Sequence, residues 1–490
     1  MISVNTKIHD RFSLEFKISY KARRKLKLNN FTLNTFIFVP NSLDINASTY
    51  SRSDFYKDIR TNIRLITPVF LMREIASGDA TPLRNLETAM KNLASTPTRS
   101  CLAEYEYQIK MFAAIFKSAI RDQLAYILNN ALLEDKEKLV TEFLQEISNI
   151  LNKYRKLAFI IKAPTIPTEV YNYYSYGDEF MSNFTEKELF VLIDKFKTLD
   201  YTDLLNVIQP SIIAVLEKER QHKIYCNYTM VNAESPNQNK DLIFRHSSLK
   251  KYVESDLFIN AEKKRDGVLV EQVYLSIAAG MSMVFATTIA FAFQQQYGNF
   301  TMPFFVALVV SYMLKDRIKE LMRFYFAQKM SSRYYDNKTT ISIKEKEIGL
   351  TKEGFDFLLE SNIPRDVIRV RNRIPLIEAE NRYAQEKIIL YRKTVEVDRQ
   401  LLDSSTNYNI DGVVEIMRLN LLSFMRKTDN PEVPLYVLDE NKVAEKIMGV
   451  KNYYINIIIQ YNHDAQESYK RYRVGFNRDG INSIKEINIL

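Results

Sequence analysis

The sequence predicts an α+β protein: a strand-plus-helix N-terminal part, a two-helix transmembrane hairpin, and a mixed C-terminal part ending in antiparallel strands. Three observations carry that expectation. Apolar residues alternate with polar ones near both ends of the chain, they recur every three to four positions through the middle, and one long stretch carries no charge at all. The chain divides on this reading into a strand-rich part (1–100), a mainly helical part (101–265), the hairpin (266–320) and a C-terminal α+β domain (321–490).

Composition bounds the rest. The 490 residues are 46 % apolar and 26 % charged, as in ordinary globular protein. Mean hydropathy is −0.24, so a membrane part must be small beside water-exposed parts. Two cysteines exclude a disulfide-stapled secreted scaffold, and four histidines leave little scope for a His-rich metal site. Lys and Arg number 68 against 59 Asp and Glu, a net +9. This mild excess fits contact with anionic lipid or nucleic acid but is also common in proteins that contact neither, and specific nucleic-acid binders usually concentrate more positive charge. Neither GxxxxGK[ST] nor GxGxxG occurs, so both common phosphate-cradling fingerprints are missing. The opening MISVNTKIHDRFSLEF has no apolar run after a basic start, so no signal peptide is expected.

The elements follow in order. Arg11–Tyr20 alternates Phe12, Leu14, Phe16 and Ile18 with polar partners and reads as a strand, as does Phe31–Val39. Between them lie Lys21, Arg23, Arg24, Lys25 and Lys27, read either as an anion patch for phosphate or lipid headgroups or as a solvated hairpin turn. Residues 102–162 keep helical spacing, with Asn129–Asn130 separating two helices, until the prolines of Ala163–Pro167 break the pattern. The cluster Tyr171, Tyr173, Tyr174, Tyr176, Asp178 and Glu179 reads as an inter-helix loop, or alternatively as a cation or sugar site. Thr185 and Glu188 read as a capping box opening the next helix. A helix near 203–220 contains Pro210, residues 231–241 form a loop, and 246–264 is expected to be a helix feeding the membrane.

The strongest signal runs from Gln272 to Leu314, where no Asp, Glu, Lys, Arg or His occurs. Gln272–Gln294 as a helix would measure roughly 34 Å, enough for a hydrocarbon core near 30 Å. After the polar break QQQYGN, Phe300–Leu314 would reach only about 22 Å unless Lys315 and Arg317 snorkel to the interface. Lys263, Lys264 and Arg265 precede the hairpin, and Lys315, Arg317, Lys319 and Arg323 follow it. The positive-inside rule then puts both ends in the cytoplasm. Ala278, Ser282, Ala286 and Ala290 form a small-residue ridge, Ser276 and Gly280 add a second pair, and Ala307 and Ser311 repeat the spacing. Such residues allow close helix approach in lipid, within the hairpin or between copies.

Beyond the hairpin, 315–333 reads as a basic amphipathic helix with Ile318, Leu321, Met322 and Tyr325 on one face. Lys387–Val397 reads as a strand, Asn452–Tyr461 and Ser468–Asn477 as an antiparallel hairpin, and Asp479–Gly480 as a turn. The run Tyr469–Arg473 (YKRYR) reads as an exposed sheet face, with base stacking as the sharper alternative.

No residue stands out as catalytic, cofactor-binding or metal-ligating. His9, His222, His246 and His463 are far apart, Cys101 and Cys226 lie in no nucleophile signature, and His463–Asp464 is the best spare pair. The expected role is a membrane-anchored scaffold, sensor or assembly protein, facing the cytoplasm from the plasma membrane through two spans. Its expected partners are anionic lipid and proteins or further copies of itself, with no cofactor and no nucleic acid. The alternatives are an oligomeric membrane effector acting through the hairpin, and a membrane-tethered enzyme acting on an anionic substrate.

Overall fold

The computed structural model describes residues 2–78, 81–129, 133–162, 166–233, 239–298, 301–333, 335–343, 346–381, 385–438, 444–463 and 466–488. It is a mixed α+β protein with antiparallel sheets. The strands are β1 (Ile2–Ile8), β2 (Ser13–Lys21), β3 (Leu28–Val39), β4 (Ile59–Leu65), β5 (Asn260–Arg265), β6 (Asn337–Ile343), β7 (Lys346–Leu358), β8 (Lys387–Asp398), β9 (Gly412–Asn420), β10 (Glu432–Leu438), β11 (Ala444–Val450), β12 (Tyr453–His463), β13 (Gln466–Phe476) and β14 (Ile481–Ile487). The helices are α1 (Arg52–Asp58), α2 (Met72–Ser77), α3 (Thr81–Ser95), α4 (Arg99–Asn129), α5 (Leu133–Lys156), α6 (Ala158–Ile161), α7 (Tyr171–Thr198), α8 (Thr202–Tyr225), α9 (Asn239–Glu254), α10 (Val268–Tyr297), α11 (Met302–Arg333), α12 (Arg365–Arg371), α13 (Pro375–Asn381), α14 (Arg399–Ser404) and α15 (Leu422–Met425).

The chain forms two compact units. The first comprises Met1–Arg64, Ile259–Asn407 and Asp411–Leu490, and the second comprises Leu65–Phe258 with Tyr408–Ile410. In the first, an eight-stranded sheet runs in the order β14-β13-β12-β3-β8-β7-β6-β5 and a four-stranded sheet in the order β1-β2-β9-β4. β3 lies between β12 and β8, which fixes strands from both ends of the sequence in one sheet. β2 likewise pairs with β9. The 22–27 segment therefore does not form a hairpin turn, because β2 and β3 belong to different sheets. Those sheets meet through apolar and polar contacts: Tyr20 packs on Phe31 at 5.5 Å, and buried Lys393 of β8 pairs with buried Glu415 of β9. The opposite face of the large sheet is covered by α12, where Val367 and Val370 pack with Phe36, Phe38, Ile388 and Ile458.

The second unit is helical. Its core is built on α4, whose Ile109, Phe112, Phe116 and Ile120 are buried. Phe112 stacks on Tyr154 of α5, and Tyr154 stacks on Tyr174 of α7 with ring centroids 4.8 Å apart. Gly177 makes that approach feasible, since a Cβ there would meet the Tyr154 hydroxyl at 2.5 Å.

Several local expectations need correction. The tyrosine cluster is not a loop but the first turns of α7, which runs unbroken through Thr185, so no capping box opens there. No proline interrupts 171–198, and the ring stacking holds the helix start. The helix expected over 246–264 ends at Glu254, and residues 260–265 pair with β6 as an edge strand. Pro210 sits inside α8. The YKRYR run is exposed only in part: Arg471 and Tyr472 are 9 % and 2 % exposed, Tyr469 and Lys470 are half-buried, and Arg473 is exposed.

Candidate functional site

α10 and α11 pack against each other as a helical pair within the first unit. α10 has 30 residues, about 45 Å of helix, and after Glu271 it carries no charged side chain. Its start is set by Gly267 at φ +70°, a conformation that suits glycine. Both ends of the pair are held together, because β5 leads into α10, β6 follows α11, and these strands pair along their length. The Asp266 amide also donates to the Asp336 carbonyl at 3.1 Å.

The pair is inverted relative to a water-soluble hairpin. Ala278, Ser282, Ala307 and Ser311 are buried, while Ala286 and Ala290 are half-buried along the same seam. The large side chains face outward: Val273, Met281, Val284, Phe291, Phe305 and Val310 are all exposed. Ser276 and Gly280 lie outside the seam, and nothing lies within 4 Å of a Cβ built on Gly280. A soluble monomer rarely leaves an apolar patch larger than a few hundred Å² uncovered. Among the described residues, one helix is long and apolar enough to cross a membrane, Val268–Tyr297. α11 does not meet that standard alone: Met302–Leu314 spans about 20 Å before Lys315, short of a bilayer core. On its face toward α10, Lys315, Ile318 and Met322 are half-buried, whereas Leu321 and Tyr325 are exposed.

The basic residues nominated from sequence are dispersed. Lys263 pairs with Glu353 and lies over the Tyr56 ring, Lys264 pairs with Glu262, and Arg265 with Glu271. Lys315 lies over the Tyr312 ring and Arg317 pairs with Glu320, while Lys319 is half-buried and Arg323 exposed. Lys21, at the end of β2, and Arg23, Arg24, Lys25 and Lys27, on the loop that follows, are all exposed. Asn29 shapes that loop, accepting from the Arg23 amide at 2.7 Å and donating to the Leu26 carbonyl at 3.1 Å. The side chains of His463 and Asp464 lie outside the described residues.

Sequence reasoning missed a polar cluster in the helical unit. Arg155 of α5 donates to Asp178 of α7 at 3.0 Å and, through both Nη atoms, to Glu219 of α8 at 2.8 and 2.6 Å. Ser182 donates to Glu219, and Tyr228 donates to Asp178 at 3.0 Å. His222 Nε2 lies 2.7 Å from Asp178 Oδ2, and Cys226 Sγ lies 3.5 Å from the same nitrogen. Burial alone would raise the Asp178 pKa, but the contacts with His222 and Arg155 outweigh it and hold the carboxyl below its ordinary value. Donor atoms of Asp178, His222 and Cys226 lie within 4.8 Å of one another, a carboxylate, imidazole and thiol set that can ligate zinc. The thiol lies nearer the nitrogen that meets Asp178 than to Nδ1, which is 4.0 Å away, whereas a thiol–imidazole–carboxylate relay uses one ring nitrogen for each partner. The available signal was the four-residue spacing of His222 and Cys226 on one helix face. Asp178 could not be joined to them before the fold was known.

Comparison with known protein families, with curated proteins and with solved structures finds no match.

Proposed function

We propose that this chain is an integral membrane scaffold, sensor or assembly protein, anchored by α10 and α11 as a two-pass hairpin with both flanks in the cytoplasm. The observation that carries the reading is the inverted hairpin, with small residues inside and a continuous apolar surface outside. Lipid is the medium in which that surface is at no disadvantage. The pairing of β5 with β6 supports an even number of crossings, since a chain that leaves and rejoins one sheet edge must return to the side it left. The basic flanks favour the cytoplasmic side. The short apolar part of α11 is accommodated by snorkelling of Lys315 and local thinning of the bilayer.

The test is topology mapping in intact cells with a membrane-impermeant maleimide. Cys101 and Cys226 are first changed to Ser, and single cysteines are then placed at Lys264, Gly298 and Arg323. Labelling from outside at Gly298 alone supports the two-pass reading. Labelling of one flank from outside would replace it by a single crossing.

A second reading, an oligomeric effector, has its own support in the exposed Ser276 and Gly280 outside the seam. It predicts that Gly280→Leu dissociates detergent-solubilised oligomers. A chain that is monomeric before the change removes this reading.

A further inference from the structure

A pocket lies in the first unit, where the end of α12 meets β12 and β13. It is a cleft of about 250 Å³ whose lining includes Arg371, Asn372, Glu386, Asn456, Arg471 and Arg473. The β-strand period brings the charges together, since Arg471 and Arg473 are two residues apart on β13 and share a face. Asn456 of β12 stands opposite Arg473 in the ladder. Arg371 ends α12, and Asn372 turns the chain away with φ +39°.

The charges around this cleft do not balance. Arg373 is held by Glu360 through two bonds, and Glu386 is shared between Arg371 at 2.7 Å and Arg373 at 2.8 Å. Glu378 also reaches Arg373 at 3.4 Å, so three carboxylates serve these two guanidiniums. Arg471 reaches only neutral acceptors, the Val370 carbonyl at 3.1 Å and Asn456 Oδ1 at 3.3 Å. Arg473 lies over the Tyr454 ring at 4.1 Å. Among the described residues neither has a carboxylate partner.

Two donors are also left over. Nε of Arg371 and Nε of Arg471 are buried without a hydrogen-bond acceptor, and their residues are 3 % and 9 % exposed. A buried donor without an acceptor costs free energy, and a buried charge without a counter-charge costs more. An arginine cannot relieve this by losing its proton. Burial first, and then the adjacent Arg371 and Arg473 charges, depress the Arg471 pKa against the opposing pull of the Glu386 carboxylate.

We propose that this cleft is a binding site for a phosphoryl anion, held by the guanidiniums of Arg371, Arg471 and Arg473. A phosphoryl anion supplies the counter-charge that Arg471 and Arg473 do not find in a directly bonded carboxylate, and its oxygens offer acceptors to their guanidiniums. Arginine forks suit phosphate oxygens in geometry as well as charge. The phosphoryl group is carried either by a soluble small molecule or by a lipid headgroup. The inference does not depend on the membrane reading.

The experiment is isothermal titration of the full-length protein in neutral detergent at low salt, with inorganic phosphate and with a soluble short-chain phosphatidic acid as probes. Arg471→Gln and Arg473→Gln should each weaken binding roughly tenfold or more, as expected for a lost charge-assisted hydrogen bond. Arg365→Gln, an exposed arginine on the same helix, should leave it unchanged. Because Arg473 is exposed, its variant keeps the fold, and thermal melting of the Arg471 variant checks that it does too. Saturable binding of either probe, lost in both variants, supports the site, and the probe that binds tighter identifies the source. Absence of binding by both probes, or binding that both variants retain, overturns it.

Discussion

The helical unit and the α10–α11 pair solve the same packing problem with opposite placement of residues. In the helical unit, large rings such as Phe112, Tyr154 and Tyr174 stack inside, together with a buried ion network around Arg155. In the pair, small residues such as Ala278 and Ser282 lie inside, and Val284 and Phe291 lie outside. Water drives the first arrangement by the gain from burying apolar area. It provides no reason for the second, in which most of the apolar area stays uncovered. This difference in placement is what the proposed membrane anchoring rests on.

The comparison can be broken most sharply at the ion network. Arg155→Met leaves Asp178 and Glu219 buried without their guanidinium, and should destabilise the helical unit by about 3–5 kcal/mol. Hydrogen exchange in α7 and α8 reads this out, while exchange in α10 should not change. The complementary substitution is Val284→Asp, which places a charge on the exposed face of α10. In lipid it should cost about 2.5–3.5 kcal/mol near the helix centre and reduce membrane integration. On a water-facing surface it would stay within about 0.5 kcal/mol. Next is the seam: Ala278→Leu should cost about 1–3 kcal/mol by overpacking. Gly280→Leu should leave the fold of the pair intact, because its surroundings are open. Thermal melting in detergent separates the two variants.

The smallest effect is one of pH. The Asp178 pKa is lower in the folded protein than in the unfolded chain, so its contribution is complete above the unfolded value near 3.9. It is lost as pH falls from there through the lower folded value. Asp178→Asn should remove that part of the acid sensitivity, as shown by denaturant midpoints followed below about pH 5.

Much of the secondary structure was legible because periodicity reports the local environment. The alternation in Arg11–Tyr20 and the apolar run Asn452–Tyr461 mark strands, although both are buried over most of their length because each has its two faces covered. Sheet membership was not legible, since nothing local shows that β2 joins β9 while β3 joins β8 and β12. The aromatic start of α7 was misread because tyrosines adjacent in sequence resemble a loop, whereas stacking across α5 makes them helical. The uncharged stretch of α10 after Glu271 was plain from its sequence, as was the shortness of the apolar part of α11. The polar sites were illegible for one shared reason. Arg155, Asp178 and Glu219 come from three helices, and Arg371 and Arg471 are brought together only by the sheet.

The most direct test of the membrane account is extraction of native membranes, first with high salt and then with alkaline carbonate. The account predicts that the protein remains in the pellet through both washes and is released only by detergent. Release by either wash would contradict it and would require another protein surface to cover the exposed faces of α10 and α11.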